Sequence, residues 1–168
     1  RTMKQGCVDY LKHIVKKNRA KKWLSINGRR NVSPTTKNIH LRDSWIVSQY
    51  AGDYNPFHTH GCQTYAGLSA FMWLKNPECI EEAWDEWVSE LPEDAPKIPN
   101  LNNASGVIDG WTQCVWNTTC NQDTLALHPP GQEWFKPTVG HLWIFPNWLH
   151  HQVYPFFGPG ERLSIAMN

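Results

Sequence analysis

Cysteine is sparse and unpatterned in this sequence. There are five, Cys7, Cys62, Cys79, Cys114 and Cys120, an odd number with no Cys-x-x-Cys spacing. That argues against a disulfide framework and for free thiols in a reducing compartment, so the cytoplasm is the expected location. No stretch reads as a signal peptide. Charge is missing altogether from residues 137–160, but four Pro, three Gly and three His punctuate that run. No lipid-exposed helix survives such punctuation, and no membrane span is expected. No internal repeat is visible. Aromatic residues are abundant: ten Trp, six Phe and five Tyr in 168 residues with a net charge of +1. Such a composition excludes intrinsic disorder and fits one globular domain over residues 1–168.

The small net charge conceals a division. Residues 1–42 hold all but four of the 16 Lys and Arg, with Asp9 their one acid, and residues 43–168 hold every other acid. In the basic segment, Met3, Cys7, Val8, Leu11, Ile14 and Val15, with Trp23 and Leu24 further on, recur at close to a helical period. The segment reads as a basic helical extension packed on a sheet with its lysines solvated. The competing reading gives its basic face an anionic partner, such as nucleic acid or a phospholipid headgroup.

Beyond residue 43 the pattern shortens to strands. Ser44 to Tyr50 alternates Trp45, Val47 and Gln49 against Ile46, Ser48 and Tyr50. Leu68–Leu74, Asp123–Leu127, His141–Phe145, His151–Tyr154 and Leu163–Met167 are further strand candidates, most of them separated by Pro or Gly. Many short strands with such turns predict a mainly β core, a sandwich or barrel. One insertion breaks the rhythm. Residues 77–99 carry eight acids, with Ile80, Trp84, Trp87, Val88 and Leu91 at helical spacing, and predict an acidic helix covering the sheet. Trp73, Trp111, Trp116, Trp134, Trp143 and Trp148 are expected mainly in the core.

Chemistry gathers on histidine. His58-Thr59-His60 is bracketed by Pro56 and Gly61, and residues i and i+2 of a strand share a face. His150-His151 lies far off in sequence, and only one of those two can face inward on a strand. His58 and His60 with one distal histidine would make a metal cage suited to Fe, Zn, Cu or Ni. The plainer reading of each histidine is a hydrogen-bonded surface residue, which is the expectation for His128 and His141.

The run Gly140-His141-Leu142-Trp143-Ile144-Phe145-Pro146, followed by His151 and then Arg162-Leu163-Ser164, resembles the closing half of the 2-oxoglutarate/Fe(II)-dependent oxygenases. Gly52 to His60 resembles the same region in uncharacterised members found in marine phage genomes. Together the resemblance covers roughly residues 43–168. It implies a double-stranded β-helix, or jelly roll, and host cytoplasm for a phage-encoded member. Fe(II) would be held by His58, His60 and His151. Arg162, with Ser164 beside it, would bind the far carboxylate of 2-oxoglutarate as co-substrate. The implied activity is hydroxylation of a substrate, with succinate and carbon dioxide released.

One position departs from the family's pattern. Where the superfamily has a carboxylate, this chain has His60. Either the centre is a three-histidine site, with the ion's charge offset by the anionic co-substrate, or an acid such as Asp53 or Asp123 completes it. Two other readings compete: a three-histidine cupin-type dioxygenase without 2-oxoglutarate, and a non-catalytic jelly-roll binding or virion module. Arg162-Leu163-Ser164 argues against the first, and the histidine cluster against the second.

Overall fold

The computed structural model describes residues 2–18, 25–26, 29–30, 33–60, 67–95, 107–116 and 131–168. The amphipathic N-terminal segment forms helix α1 (Met3–Asn18). Its Cys7 and Val8 are buried, while Lys4, Lys12 and Lys16 are exposed, the division the spacing predicts. Trp23 and Leu24 lie outside the described residues. Two short strands follow, β1 (Ser25–Ile26) and β2 (Arg29–Arg30), paired with each other.

Eight strands build the core. They are β3 (Ser44–Gln49), β4 (Asn55–His58), β5 (Leu68–Lys75), β6 (Thr112–Val115), β7 (Gln132–Phe135), β8 (Leu142–Pro146), β9 (His150–Val153) and β10 (Arg162–Met167). They form two antiparallel four-stranded sheets, ordered β3-β10-β5-β8 and β4-β9-β6-β7. Along the chain the strands alternate between the two sheets, except where β7 pairs back on β6. This winding is the double-stranded β-helix, an eight-stranded jelly roll. Alternation along β3 holds only in its second half: Gln49 is buried and Val47 half-buried, while Ile46, Ser48 and Tyr50 are exposed, but Trp45, expected on the Val47 and Gln49 face, is exposed as well. The candidate strand Asp123–Leu127 lies outside the described residues.

Helix α1 packs on the outer face of the β3-containing sheet, where Gly6 approaches the side chains of Ile144 and Leu142 on β8. The acidic helix is shorter than the 77–99 span expected of it. It is α2 (Glu78–Ser89), ended by a tight turn in which the N–H of Leu91 donates to Val88 O, with Pro92 next. Proline cannot continue the ladder. Its Glu78, Glu82, Asp85 and Glu86 face solvent, and Glu81 pairs with Lys136. Its buried Ile80 packs beneath Gly110, with consequences for the site described below.

Cys114, Phe145 and Leu149 form the core cluster between the sheets, with Phe71 and Phe135 against it. Trp73 and Trp111 are buried as expected, but Trp116 and Trp148 are about half exposed, because they stand on the outer face with Phe57 and His150. Cys7, Cys79 and Cys114 are free thiols. Among the described residues no helix is long and apolar enough to cross a membrane.

Candidate metal and anion site

Three of the predicted site residues meet at one end of the space between the sheets. His58 closes β4 and is the direct cross-strand partner of His151 on β9. The two rings lie 4.2 Å apart, centre to centre. His60 arrives differently from the expectation. β4 ends at His58, so His60 is not on the strand and strand alternation does not place it. Its backbone N–H donates to Asn147 O at 2.9 Å, which fixes a bend that swings its ring back beside the other two. Pro56 explains why the strand is so short: it has no N–H for the ladder, and the register slips between Asn55 and His58. His150 points away and stacks on Phe57, as alternation demands.

The ligand atoms of His58, His60 and His151 all lie within 4.8 Å of one another, and His58 Nε2 is 3.2 Å from His60 Nε2. The opposite nitrogen of each ring is committed. His58 Nδ1 donates to Pro56 O at 2.6 Å, His151 Nδ1 to Leu149 O at 3.0 Å, and His60 Nδ1 to Asn168 Oδ1 at 2.8 Å. Carbonyl oxygens only accept, so each Nδ1 carries the proton and each Nε2 is left with a bare lone pair. Three inward lone pairs with no donor among them repel unless a cation sits between them. Two imidazole nitrogens about 2.1 Å from a shared ion stand about 3.0–3.4 Å apart, and the 3.2 Å separation suits that. Outer hydrogen bonds of this kind are how metal-binding imidazoles are held in the correct tautomer.

Electrostatics favour the neutral ring at His151 and at His60. His151 is 4% exposed, and burial, outweighing the hydrogen bond to Leu149, pushes its pKa down to about 4, with His58 and His60 adding to the effect. Burial lowers His60 as well. Phe145 lies edge-on to His151 and Trp45 lies beside His60, giving the cluster an apolar surround.

Arg162 begins β10 and is 2% exposed. Its guanidinium donates to Gly110 O and to Gln49 Oε1, while its Nε–H has no partner. The neighbouring acid Glu161 is engaged elsewhere, bound by Lys75 at 3.3 Å and by the Ser48 hydroxyl at 2.6 Å. Among the described residues no carboxylate pairs with Arg162, and burial lowers its pKa to about 10. A buried cation with only neutral acceptors around it is costly unless an anion joins it. Gly110 makes this arrangement possible. Its φ of +74° suits glycine, and a Cβ there would collide with Ile80 of α2.

Ser164 is two residues on, on the same face of β10. A cavity of about 1210 Å³ holds all five residues, His58, His60, His151, Arg162 and Ser164, and also Asn168. Asp53 does not complete the cluster. It is exposed, its carboxylate accepts from the N–H of Tyr50 in a turn, and the only group with metal-site geometry among the described residues is the three histidines. Asp123 and His128 lie outside the described residues, and His141 is exposed.

Sequence reasoning missed Gln49, Gly110, Ser69 and Asn168. A signal for Asn168 existed: it continues the period-two face of Arg162, Ser164 and Ala166. Gln49 likewise sits on the inward face of β3, directly opposite Arg162.

The family described as "Putative 2OG-Fe(II) oxygenase" matches residues 43–168. No curated protein matches the chain. Solved structures that resemble it include the crystal structure of a Pseudomonas putida prolyl-4-hydroxylase, with 13% identity and a TM-score of 0.43 over 96% of this chain. The chain spans 60% of that hydroxylase's length.

Proposed function

The chain belongs to the 2OG-Fe(II) oxygenase family, and on that premise we propose that it is an Fe(II)- and 2-oxoglutarate-dependent oxygenase. It hydroxylates an organic substrate and releases succinate and carbon dioxide. The observation that carries this reading is the pairing, in one cavity, of three converging Nε2 lone pairs with a buried guanidinium that lacks a carboxylate partner. In this reading His58, His60 and His151 hold the iron, and Arg162 receives the far carboxylate of 2-oxoglutarate. Arginine suits that task because its planar fork meets a carboxylate with two parallel hydrogen bonds. Ser164 adds a hydroxyl donor on the same face. Iron and 2-oxoglutarate, when bound together there, would supply the oxidising chemistry. The residues around them give direction: Phe145 packs edge-on against the buried His151, and Gln49 and Gly110 hold the guanidinium still.

A three-histidine dioxygenase without 2-oxoglutarate would have no use for an anion receptor at Arg162, so the unpaired buried cation favours the 2-oxoglutarate reading. The test is an anaerobic titration with Fe(II) and then 2-oxoglutarate. A weak visible charge-transfer band is expected only when both are present, and admitting oxygen should then release succinate. No band and no succinate would reject the proposal.

A further inference from the structure

Two of the three imidazole anchors, Pro56 O and Leu149 O, belong to the main chain and survive any side-chain substitution. The third is a side chain. Asn168 Oδ1 lies 2.8 Å from His60 Nδ1 and 2.8 Å from Ser69 Oγ, so its amide oxygen accepts from both. Ser69 is buried on β5, in the middle of the sheet. The Asn168 backbone is held as well: its N–H donates to Asp43 O at 3.0 Å and its carbonyl accepts from the N–H of Arg42 at 2.8 Å. The amide is therefore a rigid acceptor presented to one ring.

That ring is the one most in need of it. His58 and His151 are oriented by strand pairing, whereas His60 stands past the end of β4. Without a partner at Nδ1, its proton is free to sit on Nε2. There it would face His58 Nε2 at 3.2 Å and bridge the two rings by a hydrogen bond, occupying the space an ion needs.

We propose that Asn168 is a positioning residue of the metal centre. It commits His60 to the tautomer protonated at Nδ1 and aims the bare Nε2 at the point shared with His58 and His151. This inference rests on the reading that the three histidines bind a metal. It also explains why the residue is an amide. An amide oxygen fixes the tautomer while leaving His60 a neutral donor, whereas a carboxylate at the same place would draw on the Nδ1 proton and make His60 a stronger ligand. Leucine at position 168 should therefore weaken the centre, and aspartate should not.

The experiment is a Co(II) titration followed by visible absorption, on the native protein and on Asn168→Leu, Asn168→Asp and His151→Ala. Asn168→Leu should bind about 10- to 100-fold more weakly, and Asn168→Asp at least as tightly as the native chain. In the metal-free protein, ring ¹⁵N shifts of His60 should report the Nδ1–H form, and this signature should be lost in Asn168→Leu. If the native protein binds Co(II), His151→Ala does not, and Asn168→Leu binds normally, the role of Asn168 is overturned while the three-histidine site stands. Equal weakening in the Leu and Asp variants would make Asn168 a packing residue and would also overturn it. Co(II) bound equally by His151→Ala would reject the metal site itself, and this inference with it.

Discussion

Replacing Arg162 by Met keeps most of the side-chain volume and removes the charge, so it separates two roles that an alanine substitution would confuse. Burial lowers the Arg162 pKa to about 10. At about 1.4 kcal/mol per tenfold change, holding this cation without an anionic partner costs the ligand-free protein about 3 kcal/mol. Methionine relieves that cost but strands Gly110 O and Gln49 Oε1, at about 1–3 kcal/mol for each acceptor left dry. The two effects oppose each other, and ligand-free stability is expected within about 3 kcal/mol of the native protein. Affinity for 2-oxoglutarate has no such compensation. Loss of a buried bidentate partner should weaken it by about 2–5 kcal/mol, roughly 30-fold to several thousandfold. Arg162→Lys retains charge without the fork and should fall between. The assay is anaerobic calorimetry of 2-oxoglutarate into Mn(II)-loaded protein, alongside urea unfolding of the metal-free protein. Unchanged 2-oxoglutarate affinity in Arg162→Met would refute the reasoning. A variant that unfolds outright would show that the guanidinium is a structural brace and not a receptor.

Three other outcomes are expected. His151→Ala should abolish metal binding in a folded protein, while His150→Ala should retain it because that ring stacks outward on Phe57; metal analysis of the purified variants checks both. His60→Ala should lower Mn(II) affinity more than Asp53→Asn or Asp123→Asn does, and an Asp variant that loses metal while His60→Ala keeps it would return the site to a two-histidine, one-carboxylate centre. The metal-free protein should lose stability as pH falls from about 6.5 to about 4. Unfolded His151 takes up a proton near its ordinary value, whereas the folded ring resists until about 4, so the unfolded state binds more protons across that window. The loss is about 2–3 kcal/mol by pH 4.5, and denaturant midpoints that are flat over this range would show that His151 is not held neutral.

How much of this was legible in the sequence depended on whether a signal was local. β3, β5, β8, β9 and β10 could be read from apolar alternation and turn residues, and α1 and α2 from helical spacing. β6 and β7 could not. Thr112, Gln113 and Cys114 are all buried, so β6 has no exposed face to alternate against, and Gln132–Phe135 is too short to show a period. The histidine trio was found, but half of the reasoning for it does not hold, since His60 owes its place to a bend fixed by Asn147 and not to strand alternation. The surroundings of Arg162 were out of reach, because the Gly110 carbonyl arrives from a separate turn propped by α2. Contacts of that kind are tertiary and leave no trace in residue spacing.

The edge strand β4 has a consequence for motion. It pairs with β9 at two registered positions only, Asn55 with Val153 and His58 with His151, and Pro56 between them offers no N–H. An edge held so thinly opens at lower free energy than the rest of the sheet. One of its two fastening points is the pair of proposed ligands, so an ion bound there would act as a rivet through this seam of the jelly roll. Amide exchange at Phe57 and His58 should then slow sharply on metal loading, while Ile165, flanked by strands on both sides, keeps the same rate. Loss of the ion would thus loosen the β4 edge of the cavity that His58 and His151 line, linking the state of the metal to the local stability of that edge.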